Sequence, residues 1–128
     1  MGYSILVVDD SATTRAIIKR VLGLAQIPTD FIAEAANGKE ALSALAGRRF
    51  DLVLADLNMP EMGGLEMTRC MHENPATQDI PVVVVSAEPN AEKFAQVQGN
   101  GIQGCLRKPF TPEGIRNIVN HVLGGVHA

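Results

Sequence analysis

Short runs of apolar, largely β-branched residues alternate along the chain with stretches whose apolar positions recur at helical spacing. Ile5 to Val8 predicts a first strand. Ser11 then stands as the N-cap of a helix whose apolar face is Ile17, Ile18, Val21 and Leu22. Phe31 to Ala35 gives a weaker second strand, and Asn37 caps a second helix carrying Ala41, Leu42 and Leu45. Leu52 to Ala55 predicts strand three. A loop follows from Asn58, because Pro60 and the Gly63-Gly64 pair break regular structure, and a third helix runs from about Leu65 to His72. Pro81 opens strand four, Val82 to Val85. A fourth helix is expected around Glu92 to Gln98, ended by Gly99 and Gly101. Cys105 to Lys108 predicts strand five. Thr111 caps a last helix with Pro112 at its first position, Glu113 suited to its dipole, and Ile115, Ile118, Val119, Val122 and Leu123 as its inner face.

Five strand–helix units with continuous apolar strands imply a parallel sheet covered on both faces. Right-handed crossovers then make a single doubly wound α/β domain spanning 1–128, five strands flanked by five helices. Ligands of such sheets sit beyond the carboxyl ends of the strands, where the strand order reverses. Asp9, Asp10, Asp56, Ser86 and Lys108 all fall at carboxyl ends. If strands one and three are neighbours, three carboxylates meet. Two unit charges ~4 Å apart repel by about 4 kcal/mol at an effective dielectric near 20. A site that gathers them holds a cation or uses one of them chemically. Acids, a cation and one ammonium suit phosphoryl chemistry better than acyl chemistry.

Composition narrows the alternatives. The 128 residues suit one domain, and 46% hydrophobic residues supply a core. Net charge is −3 and no long basic run occurs, which argues against nucleic-acid binding. No apolar stretch approaches the ~20 residues needed to cross a membrane, so membrane insertion is not expected. Asp9-Asp10 interrupt the first apolar run too early for a signal peptide. The expected compartment is the cytoplasm, with Cys70 and Cys105 reduced and not at metal-binding spacing. Met1 and the short tail after Gly125 favour a stand-alone protein.

The order and spacing of Val7-Val8-Asp9-Asp10-Ser11, Asp56-Leu57-Asn58-Met59-Pro60, Gly63-Gly64, Ser86-Ala87-Glu88 and Lys108-Pro109-Phe110 resemble the receiver domain of response regulators, the CheY-like family, over nearly the whole length. The resemblance implies the flavodoxin-like strand order 2-1-3-4-5 known for that family. It implies that Asp56 is the phospho-acceptor, taking a phosphoryl group from a histidine kinase or phosphotransfer protein. Asp10, Asp56 and the backbone carbonyl of Asn58 would hold Mg²⁺, with Asp9 acting through water and charge. Ser86 would donate its hydroxyl to the phosphoryl group. Lys108 would pair with Asp56 before transfer and with a phosphoryl oxygen after it, and the Lys108-Pro109 bond would be cis. Output would be altered binding of a downstream protein through the face made by the fourth helix, fifth strand and last helix. Stand-alone length and Glu88 lean toward a chemotaxis or motility role.

Two features qualify the resemblance. Cys105 stands where many receivers carry Tyr or Phe, so the aromatic half of their switch is missing and the output change shifts to Glu88, Pro89, Asn90 and the fourth helix. Asn58 and Glu88 stand where the family tunes loss of the phosphoryl group to water, and polar residues at both predict a short-lived signal. Taken singly, Asp9 and Asp10 could be capping acids, Lys108 a surface lysine and Ser86 a turn residue; together they converge. Met59, Met62, Met67 and Met71 are read as packing, His72, His121 and His127 as surface histidines, and Arg48, Arg49 and Arg69 as solvated. Three other functions compete. One is a degenerate receiver acting as a phosphorylation-independent interaction module. Another is a small Mg²⁺-dependent phosphatase with an aspartyl-phosphate intermediate, disfavoured because Asn58 cannot be the general acid. The third is an FMN carrier, disfavoured because Asp9-Asp10 would repel the FMN phosphate. The favoured reading is not an enzyme beyond self-catalysed phosphoryl transfer and its reversal by water.

Overall fold

A computed structural model describes residues 2–57, 59–86, 102–108 and 111–123. Five parallel strands, β1 (Tyr3–Val8), β2 (Thr29–Ala35), β3 (Leu52–Ala55), β4 (Val82–Ser86) and β5 (Ile102–Arg107), form one sheet in the order β2-β1-β3-β4-β5. Four helices lie among the described residues: α1 (Ala12–Leu24), α2 (Gly38–Gly47), α3 (Gly64–His72) and α4 (Pro112–Leu123). The expected helix around 92–98 lies outside the described residues. The chain starts at β1, one strand in from the edge, steps out to β2, crosses back over β1 to the central β3, and continues outward to β4 and β5. The reversal therefore falls between β1 and β3.

Alternation along the central strands builds two cores. Ile5, Val7, Leu52, Leu54, Val83 and Val85 face α1 and α4, meeting Ile18, Val21, Leu22, Ile115, Val119 and Leu123. Leu6, Val8, Val53, Ala55, Val82 and Val84 face the other way, toward Ala41 and Leu45 of α2 and Met67 and Met71 of α3. Burial of both faces explains why these strands read as unbroken apolar runs. Each buried Val, Leu, Ile or Met side chain among them contributes roughly 1.5–3 kcal/mol relative to leaving it exposed.

Two expectations are corrected. Ile17 does not join the inner face of α1: it is 49% exposed. The buried stripe is Ile18, Val21 and Leu22, continued by Ala25 just past the helix, and Ile17 lies ~100° round the helix from Ile18. Strand five begins at Ile102, not Cys105, and ends before Lys108. As an edge strand it alternates buried and open positions, so no apolar run marks its start. Its pairing slips between Val82↔Ile102 and Val83↔Gly104, leaving Gln103 as an extra residue. That slip puts Ile102 and Leu106 in opposite cores although both are even-numbered. Arg48 is exposed, as expected, and its guanidinium stacks 3.9 Å from the Phe31 ring centroid, beside Phe50.

The caps form as the sequence predicts. The Ser11 hydroxyl accepts from the Thr14 amide at 3.2 Å, the Asn37 side chain from Glu40 at 2.9 Å, and the Thr111 hydroxyl from Gly114 at 3.0 Å. Met67 and Met71 are buried, while Met59 and Met62 pack partly buried against the same core. His72 and His121 are exposed.

Candidate functional site: an acidic pocket at the strand reversal

Val8 pairs with Ala55, so the residues that follow leave adjacent strands at one level. The Asp56 amide donates to the Val8 carbonyl at 3.0 Å, and the Asp9 amide donates to Ala35 at 3.0 Å. Both aspartates are thus anchored to the carboxyl edge by continued ladder bonds. On the other side, Ser86 ends β4, and the Lys108 amide donates to its carbonyl at 2.8 Å. The fold brings Asp9, Asp10, Asp56, Ser86 and Lys108 to one edge.

One oxygen from each of Asp9, Asp10 and Asp56 lies within 4.8 Å of the others. The three differ sharply in exposure. Asp9 is 2% exposed, Asp56 half-buried and Asp10 exposed. Asp9 Oδ1 accepts from the Ser11 amide at 2.9 Å, and Asp9 Oδ2 from Lys108 Nζ at 3.2 Å. The same ammonium stands 3.5 Å from Asp56 Oδ2. Lys108 therefore bridges the two carboxylates, slightly nearer to Asp9. Among the described residues, one ammonium against three carboxylates leaves the pocket negative. Its donor set is entirely oxygen, which is the chemistry of a hard divalent cation such as Mg²⁺ rather than a soft metal. Asn58, Glu88 and Pro109, which also belong to the sequence reading, lie outside the described residues.

The connection after Asp56 depends on its glycines. A Cβ on Gly64 would run into the Asp56 carbonyl oxygen, and one on Gly63 into that of Leu57. The Gly64 amide donates to Leu57 at 3.0 Å, turning the chain directly into α3. Glu61 adopts a left-handed φ of 66°. Its carboxylate accepts from Asn37 Nδ2 at 3.2 Å, while the Gly38 amide donates to Met62 at 2.8 Å. The loop is stitched to the start of α2.

Cys105 is half-buried and packs against the core under α2 and α3. Burial pushes its thiol pKa up, so it stays protonated at neutral pH. Sequence reasoning missed Arg15. Its Nη1–H donates to the Asp9 carbonyl at 2.6 Å and its Nε–H to Glu34 at 2.9 Å. Lys19 Nζ donates to the other Glu34 oxygen at 2.8 Å. These two cations, Lys19 first, hold the Glu34 carboxyl below its ordinary range. Arg15 lies one turn into α1, so helical spacing from Ser11 was the available signal; its aim back at Asp9 was not.

The site is thus a doubly wound 2-1-3-4-5 α/β sheet with three carboxylates and a bridging lysine at its strand reversal. The sequence profile of the response regulator receiver domain matches residues 5–120, and the chain belongs to that family of two-component signalling proteins. It is 34% identical to a chemotaxis protein CheY homolog of Campylobacter jejuni over 121 residues, 94% of this chain and 92% of that protein. It is 32% identical to the chemotaxis protein CheY of Pseudomonas aeruginosa, covering 96% of this chain and 98% of that one. Among solved structures, the chemotaxis protein CheY4 of Vibrio cholerae superposes with a TM-score of 0.86 at 31% identity, over 96% of this chain and 100% of the other.

Proposed function

We propose that the chain accepts a phosphoryl group on Asp56 from a histidine kinase or phosphotransfer protein, Mg²⁺-dependently, and signals through altered protein binding. The observation that carries this reading is the meeting of Asp9, Asp10 and Asp56 within 4.8 Å beside the Lys108 ammonium. Asp56 is the half-buried member, reachable by a donor yet flanked by a cation. Asp10 and Asp56, with the Asn58 carbonyl, are the proposed Mg²⁺ ligands, and Asp9 contributes charge and orients Lys108. Bound there, Mg²⁺ would offset charge on phosphoryl oxygens. Lys108 supplies a second fixed cation, and Ser86, which ends β4, would donate its hydroxyl to the phosphoryl group. Asn58 and Glu88 tune access of water to the acyl phosphate. The 1–128 unit acts as one receiver domain in the cytoplasm. Among the described residues no helix is long and apolar enough to cross a membrane.

The output partner is a protein meeting the surface of β5, α4 and the expected fourth helix, with the change centred near Glu88 because Cys105 replaces an aromatic. Similarity to chemotaxis proteins over most of their lengths supports a motility role. The module is a switch rather than a turnover enzyme. Intact-protein mass spectrometry after incubation with acetyl phosphate and Mg²⁺ tests this. One added phosphoryl group is expected, absent in Asp56→Asn and without Mg²⁺, with altered decay in Asn58→Ala and Glu88→Ala. An adduct that persists in Asp56→Asn would refute the assignment.

A further inference from the structure

We propose, on the reading of the pocket as a Mg²⁺-dependent phosphoryl acceptor, that Arg15 is a positioning residue that fixes the Asp9–Asp10 peptide and thereby sets the affinity for Mg²⁺. Arg15 reaches back from α1 with a side chain only 17% exposed. Its Nη1–H donates to the Asp9 carbonyl oxygen at 2.6 Å. That oxygen shares one rigid plane with the Asp10 amide nitrogen. Holding the oxygen therefore sets the orientation of the plane from which the Asp10 side chain departs.

The three carboxylates depend unequally on such a brace. Asp9 is buried, with the Ser11 amide on one oxygen and Lys108 on the other. Asp56 is anchored through the β1–β3 ladder. Asp10 is the exposed member, beyond the strand and before the cap of α1. Its direction is governed by the backbone that carries it. Arg15 is itself aimed by a second bond, from Nε to Glu34 Oε1 at 2.9 Å, and Glu34 is steadied by Lys19 at 2.8 Å. A planar fork with one donor on each partner fits this task; lysine, with a single nitrogen, cannot reproduce the geometry. The guanidinium also places a fixed positive charge behind a pocket whose carboxylates repel one another.

The test is a calorimetric Mg²⁺ titration of the full chain as wild type, Arg15→Met and Arg15→Lys, each with a thermal melt in chelator. The dissociation constant for Mg²⁺ should rise about tenfold in Arg15→Met, the usual scale for groups that orient metal ligands, and by less in Arg15→Lys. The Mg²⁺ concentration giving half-maximal Asp56 labelling by acetyl phosphate should rise in step, with full labelling restored at saturating Mg²⁺. A folded Arg15→Met that binds Mg²⁺ like wild type overturns the role of Arg15. Should Arg15→Met fail to fold, Arg15→Lys decides, and an unchanged constant there overturns it. A wild type that neither binds Mg²⁺ nor takes a phosphoryl group refutes the acceptor reading itself, a result distinct from an unaffected Arg15 variant.

Discussion

Asp9 is engaged from three directions: Ser11 on one carboxylate oxygen, Lys108 on the other, and Arg15 on its carbonyl. Such a residue is fixed before any ion arrives. Asp10 is its opposite, exposed and carrying a charge among like charges. The physical consequence is a trade between stability and function. Asp10→Asn should raise stability in metal-free urea unfolding by about 1 kcal/mol, the cost of one close like-charge pair near water. The same substitution should reduce the stabilisation gained on adding Mg²⁺. Equal or lower metal-free stability in the variant would show that repulsion in the pocket is already screened. The identities of these acids were legible in the sequence because each ends an apolar run. Their unequal burial was not, since exposure depends on what packs over each side chain.

At the scale of elements, the β3–α3 connection is the most constrained part of the site. Gly64 allows the first turn of α3 to touch the Asp56 carbonyl, and Asn37 caps α2 while holding Glu61. Gly64→Ala should cost roughly 1–3 kcal/mol, as overpacking does, and should also slow acetyl phosphate labelling because the clash falls on the Asp56 backbone. Urea unfolding and labelling rates check this together; a stability loss with unchanged labelling would separate the turn from the chemistry. The Gly63-Gly64 pair was readable as a helix breaker, but its close contact with the acceptor peptide was not. Strand five shows a similar boundary. Its alternating edge pattern and the extra residue at Gln103 hid its start, whereas the buried central strands announced themselves as apolar runs.

For the whole molecule, the reversal of strand order between β1 and β3 makes five separated residues into neighbours. Anything that binds only this assembled edge stabilises the fold by mass action. Mg²⁺ with beryllofluoride, a phosphoryl mimic, at a hundredfold excess over its dissociation constant should add about 2.7 kcal/mol and raise Tm by roughly 10 °C. Chelator should reverse the shift, and Asp56→Asn should abolish the beryllofluoride part. A shift of the same size in Asp56→Asn would place the ligand elsewhere.

The sequence by itself determined the existence of the five strands, the caps at Ser11, Asn37 and Thr111, the doubly wound class and the polar residues that end the strands. These depend on local periodicity and on polar residues placed where apolar runs stop, which neighbouring residues alone reveal. The tertiary structure decided which carboxylate is buried, that Lys108 bridges Asp9 and Asp56, and that the glycines press against the acceptor peptide. It also decided that Arg15 braces the pocket from α1. Those features arise from contacts between segments far apart in the chain, and a one-dimensional pattern carries no distance between them.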